Sequence, residues 1–500
     1  MLPRARQDRL SIQNLIVALL LATAALFLGA RLHAGQAMDE DFAVYLQEAE
    51  NIIHGRPVME TGVLYAVDPD AAPGEQGAAT FPPVVPLVLA PVVGVFGVNL
   101  LALKFAQLGL LLVTFALVTL LRRRLGFSLF EIAAALALFC VTPEILYQVN
   151  DIGSDLPFLF FLVVALLAAE AALAAPPARR LMRALLFGLA VFIAFEARLV
   201  AVALLPAAAL AQIVRQKRAT DPVTLLAPGG AFAVLWLLQA MLFRQNSAYG
   251  LVYSYKFFDV VPNLKNYYWH LLAPWPHGAM AHITPFLLVA VALLAATGIF
   301  QGLRRGQVTA WFCVFYFVLL MVVPNLNAGL RYLVPIFLFV NAFVARGAAW
   351  TATALGLDEG RARACAAEAA GALILLMLSI LSGPDSNSYG AGTASSSQVF
   401  RFLSDRTDPA ALVAARKYRA FHLFTRRQTV RPPLAALRSA DNLSRWLAQS
   451  HIDYLVLKKS AAWGGNDYSD CPRSPLCEQT VSGAETVFEN PDYRVYRLRK

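Results

Sequence analysis

The most constraining feature of this chain is a series of apolar stretches, each of membrane-crossing length and most of them ended by arginine or lysine. A helix needs roughly 20 mostly apolar residues to span the hydrocarbon core, where every backbone N–H and C=O must be bonded within the segment. A chain made of such stretches folds as a bundle of transmembrane helices. Composition agrees: 58% of residues are hydrophobic and 15% charged, against about a quarter charged in soluble domains. Disorder, collagen-like fibres and small disulfide scaffolds are excluded.

In a soluble protein the net charge of +10 would suggest a nucleic-acid partner. Its distribution is a topology signal instead, and no nucleic-acid partner is expected. Between His33 and Thr80 nine acids face the single base Arg56, a net charge of −8, while Arg122, Arg123 and Arg124 stand together after an apolar run. By the positive-inside rule, Arg4, Arg6 and Arg9 keep the N-terminus in the cytoplasm, and the acidic loop lies outside.

About eleven crossings follow. The first is about Ile12 to Ala30. A proline-punctuated re-entrant or interfacial stretch, Pro82 to Gly97, precedes the second, Asn99 to Leu121. The third is one helix near Phe127 to Tyr147, and the fourth runs near Leu156 to Ala175. Leu181 to Val214 is too long for one helix and breaks at Phe195 to Arg198 into two. The rest lie near Val223 to Phe243, up to Arg304, up to Val323, from Leu330 towards Arg346, and from Cys365 to Ser382. An odd count from a cytoplasmic N-terminus delivers the C-terminus outside.

Residues 1–383 form the membrane domain, with 33–98 as the first outer loop, and 384–500 form a soluble extracytoplasmic domain. Within the latter, strand-like runs (Phe421 to Phe424, Tyr454 to Leu457, Tyr493 to Tyr496) alternate with a helix-like segment (Leu434 to Gln449), which predicts a small α/β domain. The expected fold class is thus an all-α polytopic membrane protein carrying a small C-terminal α/β domain. Cys140, Cys313 and Cys365 fall in membrane runs as small buried residues, whereas Cys471 and Cys477, in an oxidising compartment and separated by a two-proline turn, are candidates for a disulfide.

Carboxylates beside a membrane are expensive, and the densest group is Asp39, Glu40 and Asp41, just past the first crossing. They read either as a general base or metal site, or as solvated loop charges and a helix N-cap, since Phe42, Tyr45, Leu46, Ala49, Ile52 and Ile53 follow at helical spacing. Asp151 and Asp155 occupy the next outer loop. They share a face if the turn is helical, but capping before Pro157 is sufficient reason for Asp155 and is the favoured geometry. Outer cations (Arg198, Lys256, Lys265, His270, His277, His282, Arg331) could meet a phosphate, and snorkelling to the interface is the plain alternative for Arg331. The histidines repeat no metal-ligand spacing, and no ATP-binding P-loop is present.

These residues resemble a family. Asp39-Glu40 followed by Tyr45, Ala49 and Gly55, then Phe81-Pro82-Pro83 with Pro86-Leu87 and Phe96-Gly97, Ser154-Asp155-Leu156-Pro157-Phe158, and Arg331-Tyr332-Leu333-Val334-Pro335 are similar, in order, to motifs of the GT-C membrane glycosyltransferases. The similar branch is that of protein O-mannosyltransferases and the lipid A aminoarabinose transferase. The resemblance implies inverting transfer of a sugar from a polyprenyl-phosphate donor to a lipid, glycan or protein acceptor at the outer face of a bacterial inner membrane, with or without a divalent metal. It implies Asp39 (or Asp41) as base, Glu40 orienting, Asp155 assisting, and Arg331, next to Tyr332, on the carrier phosphate. The residues themselves add Asp151, Arg198 and Lys265 as candidate substrate contacts. The alternative function is a non-enzymatic lipid or glycan transporter.

Overall fold

The computed structural model of the chain describes residues 4–38, 40–56, 82–216, 221–242, 260–272, 279–322, 330–380, 390–433, 440–459 and 484–498. The helices follow the apolar runs. After α1 (Arg4–Gly29) come two helices beside the bundle, α2 (Glu40–Ile53) and α3 (Val84–Phe96), then α4 (Leu100–Leu120), started by Asn99, whose side chain accepts from the Ala102 N–H. The expected third crossing is instead two helices, α5 (Leu129–Val141) and α6 (Pro143–Val149), bent by 71°. Pro143 is the reason: it has no N–H to continue the ladder and pushes Thr142 into an extended conformation (ψ 125°).

Next are α7 (Asp155–Leu173), α8 (Arg180–Ala197) and α9 (Leu204–Gln216), the last two separated at an extended Arg198 and a 3₁₀ turn, as the sequence predicts. They are followed by α10 (Pro222–Leu242), α11 (Val260–Leu272), α12 (Ala279–Arg304), α13 (Val308–Val322), α14 (Val334–Ala354) and α15 (Glu359–Ile380). The chain is a multi-pass membrane protein. Six described segments are long and apolar enough to cross, seven if α5 and α6 form one span. Four more helices (α1, α8, α13, α15) would have to cross to give eleven, and they miss that standard in length or charge. Cys140 and Cys313 are buried, but Cys365 is exposed, contrary to expectation, because it lies on the outward side of α15.

Close backbone approach sets the packing of α12 on α14: a Cβ at Gly298 would overlap the Phe343 carbonyl, and one at Gly347 the Leu294 carbonyl. The end of the bundle remote from the C-terminal domain is closed by polar staples. Arg346 bonds Glu131 (2.7 Å), Gln307 (2.7 Å) and the Gly126 carbonyl (2.6 Å), and Arg215 bonds Glu170 and the Gly306 carbonyl (both 2.8 Å).

The C-terminal elements are α16 (Ala394–Arg406), β1 (Leu412–Ala415), α17 (Tyr418–Thr425), β2 (Gln428–Val430), α18 (Ala440–Ser450), β3 (Tyr454–Lys458), β4 (Ala484–Glu489) and β5 (Tyr493–Leu498). The strand order is β2-β1-β3-β5-β4, parallel among the first three and antiparallel at β5. The residues Phe421 to Phe424, expected as a strand, are helical; four apolar residues in a row suit either period, and the parallel pairing of β1 with β2 needs a crossover, which this helix supplies. Alternation sorts the sheet: Val413, Val456 and Val495 join the core of the bundle, whereas Ala414, Leu455 and Tyr496 pack with Leu443 and Leu447 of α18. Cys471 and Cys477 lie outside the described residues.

The C-terminal domain docks on α2, which is buried nearly all round because α3 covers one side and α17 another. Phe42 meets Phe424, which stacks on Phe400 at 4.8 Å. Arg426, in a left-handed conformation (φ 57°) after α17, forks onto both carboxylate oxygens of Glu50. Because Arg426 is half-exposed, Arg426→Ala should weaken docking by only about 1 kcal/mol. The expected reading is roughly fivefold faster amide exchange in α2 and α17, with unchanged exchange in α12 and α14.

Candidate active site

At the end of the bundle that carries the C-terminal domain, four segments distant in sequence converge on one carboxylate. Asp155 opens α7, and its side chain is 1% exposed. The capping role expected of it is not what it does. The N-cap position is Ser154, which makes no side-chain cap bond, and each Asp155 oxygen meets an arginine: Oδ1 with Arg198 Nη2 at 2.6 Å, Oδ2 with Arg331 Nε at 2.7 Å. Such a buried charge is tolerable only with partners of this kind.

Each arginine is placed by a break in helical structure. Arg198 sits at the extended joint after α8, also donates to Ser154 Oγ (3.2 Å), and lies 5.3 Å from the Tyr332 ring centroid. Arg331 begins the 3₁₀ turn Arg331–Leu333 ahead of α14, a turn held by the Tyr316 hydroxyl donating to the Tyr332 carbonyl at 2.7 Å. Its second contact is Asp41 Oδ2 at 3.1 Å. One guanidinium therefore links a first-loop acid to the second-loop acid.

Asp151 reaches the same place by a different route from the shared helical face considered above. Residues 151–154 form bends, and a Cβ at Gly153 would stand 3.4 Å from Asp151 Oδ2, 3.6 Å from Arg331 Nη2 and 3.7 Å from Asp155 Oδ2. The acids and the arginine surround a residue that has no side chain. Burial pushes the Asp151 carboxyl above the usual carboxylate range, while Arg331 and a hydrogen bond from Gln36 pull it back.

Of the expected residues, Asp41, Asp151, Asp155, Arg198, Arg331 and Tyr332 are thus gathered. Lys265 is exposed on α11, two positions from buried Tyr267 and so on the other side of that helix, and no described contact brings it here. Asp39, the side chain of Glu40, Phe81, Lys256, His277 and the side chains of His270 and His282 lie outside the described residues.

Sequence reasoning missed several neighbours. Lys104, fully buried in α4, donates to the carbonyls of His33 (3.0 Å) and Gly35, and Gln107 donates to the Gly153 carbonyl at 3.0 Å. Two polar side chains three apart in an otherwise apolar run were the available signal. Glu144 on α6 is within electrostatic reach of Asp155, Arg331 and Asp151, and Tyr267 of Arg198 and Tyr332. Among the described residues no group of three His, Cys, Asp or Glu side chains converges as a metal site would require.

No protein-family model matches the sequence, and no curated protein matches it either. Solved structures do match. An oligosaccharyltransferase from Archaeoglobus fulgidus, tethered to an acceptor peptide with the NVT sequon, superposes with a TM-score of 0.62 at 13% identity over 88% of this chain and 69% of that one. The same enzyme is known in complex with zinc and sulfate. ArnT from Cupriavidus metallidurans, bound to undecaprenyl phosphate, matches with a TM-score of 0.56 at 14% identity over 96% of this chain and 97% of that one. The mycobacterial arabinofuranosyltransferase AftD gives 0.56 at 14% identity, over 96% of this chain and 40% of that chain. These are membrane glycosyltransferases of the GT-C type, and this chain has their fold.

Removing the charge of Asp155 strands two arginines beside it. Asp155→Asn should cost about 3 to 5 kcal/mol, whereas Asp41→Asn, at the exposed end of the network, should cost no more than about 1 kcal/mol. Thermal melting in detergent distinguishes them, and equal melting temperatures would contradict the central place given to Asp155.

Proposed function

We propose that this protein, with its GT-C fold, transfers a sugar from a polyprenyl-phosphate carrier to an acceptor hydroxyl at the face where the C-terminal domain sits, with inversion at the anomeric carbon. The observation that carries the reading is Arg331, shared by Asp41 and Asp155 and adjoined by Arg198 and Tyr332, at the end of a membrane bundle. A transporter has less use for this arrangement, because its cation would be neutralised by two carboxylates; a phosphate arriving at Arg331 displaces Asp41, the more exposed partner, and leaves Asp155 holding the guanidinium in place.

In the proposed step the acceptor oxygen attacks C1 of the sugar from the side opposite the carrier. The C1–O bond to the phosphate breaks, the carrier phosphate leaves with the electron pair, and the acceptor proton passes to a first-loop carboxylate. We assign that proton to Asp39, as the resemblance implies, with Glu40 orienting the loop; Asp41 serves as the resting partner of Arg331 that the phosphate displaces. Arg331, supported by Arg198, stabilises the charge developing on the leaving phosphate, and fixed donors of this kind contribute on the order of 10²- to 10³-fold to rate. Tyr332 and Asp151 line the same place, whereas Lys265, on the far side of α11 from Tyr267, takes no part in this step.

The zinc complex of the oligosaccharyltransferase raises the question of a divalent ion. The described donors do not fit one, because Asp41 and Asp155 each give an oxygen to Arg331. We therefore give the electrostatic role to the guanidinium and route no step through a metal. The bacterial inner membrane, a cytoplasmic N-terminus and eleven crossings complete the proposal; membrane lipids, the carrier and a lipid, glycan or protein acceptor are the partners.

The test is transfer by purified protein in liposomes supplied with a polyprenyl-phosphate sugar, with products read by mass spectrometry. Asp39→Asn should lower the rate at least about 100-fold with the fold intact, and Asp41→Asn should retain measurable transfer. Movement of the donor across the bilayer without any sugar transfer would establish the transporter instead.

A further inference from the structure

Gln36 is fully buried, and no catalytic role falls to it. Every polar group it has is nonetheless used. Its side-chain N–H donates to Asp151 Oδ1 and to the Ala37 carbonyl (3.2 Å), and its side-chain oxygen accepts the Ile152 N–H at 3.0 Å. Its backbone pairs with the segment entering the C-terminal domain: the Gln36 N–H donates to the Ala391 carbonyl and the Ala391 N–H to the Gln36 carbonyl, both at 2.8 Å. The approach is so close that a Cβ at Gly390 (φ 67°) would overlap the Gln36 carbonyl oxygen.

We infer that Gln36 is a positioning residue through which the C-terminal domain holds the acidic loop 151–155 against Arg331. Two further bonds support the same strap. Asn150 donates to the Arg31 carbonyl and accepts from the His33 N–H, both at 3.0 Å, and Lys104 ties the His33 and Gly35 carbonyls to α4. Residues 31–36 are therefore fixed from the membrane side by Lys104 and from the C-terminal domain by Ala391. Through its one amide Gln36 grips both the backbone and the carboxylate of the acidic loop. A glutamine suits this place because one planar amide offers a donor to the carboxylate and an acceptor to the N–H together.

The activity part of this inference rests on the glycosyltransferase reading; the physical part does not. Among the described residues, the groups facing Asp151 are Arg331, Asp155 and Asp41, Lys104 from α4, Glu144 from α6, and the Gln36 amide. Gln36→Glu keeps the shape and the acceptor but sets a second carboxyl against Asp151. The pair then favours one shared proton, so its folded-state affinity for protons lies above that of the unfolded chain. The variant's stability is accordingly present at low pH and lost as pH rises.

The experiment compares wild type, Gln36→Glu and Gly390→Ala in detergent between pH 5 and pH 8, by thermal melting and by transfer rate. Gln36→Glu should melt close to wild type at pH 5 and progressively below it towards pH 8, and its transfer rate should fall at least tenfold across that range relative to wild type, in kcat rather than in donor KM. Gly390→Ala should lower kcat at all pH values without the pH-dependent melting. A Gln36→Glu melting profile parallel to wild type would overturn the inference, as would undiminished kcat in both variants. If the wild type transfers no sugar while the melting difference appears, the glycosyltransferase reading fails and the strap stands.

Discussion

A carboxylate set into the end of an apolar bundle has to be compensated on the spot, and Asp155 meets this requirement by drawing in two arginines from distant parts of the chain. Much of the local architecture at this end follows. For Arg198 to arrive, the helical hairpin of α8 and α9 must open at an extended residue; for Arg331 to arrive, α14 must be preceded by a 3₁₀ turn, which the Tyr316 hydroxyl secures. Away from these breaks α12 and α14 pack by close backbone contact at Gly298 and Gly347, and the opposite end is closed by Arg346 and Arg215.

The same compensation makes the site one object rather than a set of loops. Arg331 belongs at once to the first-loop acid Asp41 and to Asp155, so anything that moves the first loop moves the guanidinium. The first loop in turn is held by the C-terminal domain through the Arg426–Glu50 fork on α2, the packing of Phe42 on Phe424 and the backbone pairing at Gln36 and Ala391. The sheet contributes one face to the core of the bundle, so the domain is packed into the bundle rather than appended to it. A site that fixes charge before substrate arrives has no reorganisation left to perform when a phosphate leaves.

The membrane class, most helix positions and the direction of the charge pattern were legible in the sequence because each depends on local composition: a run of apolar residues is its own evidence. Asp155 was legible as important but not as what it is. Its partners are 43 and 176 residues away, whereas the serine before it and the proline after it offered a complete local reason for its presence. The bend at Thr142-Pro143 has its signal in the proline itself, whereas the helix at Phe421 to Phe424 has none, since four residues carry too little period to decide a conformation that packing decides. Gln36 left no signal at all: its work lies in both its amide and its backbone, and neither leaves a spacing pattern. Lys104 and Gln107 did leave one, as polar interruptions of an apolar helix.

On the proposed reading, Arg331 receives the carrier phosphate and Asp41 holds its place beforehand. The most direct measurement is the affinity of the purified protein for undecaprenyl phosphate, by native mass spectrometry, in wild type, Arg331→Ala and Asp41→Asn. Binding should be roughly tenfold weaker in the arginine variant and tighter in the aspartate variant, whose Arg331 no longer has to give up a partner. Equal affinities in all three, or weaker binding without Asp41, would contradict it.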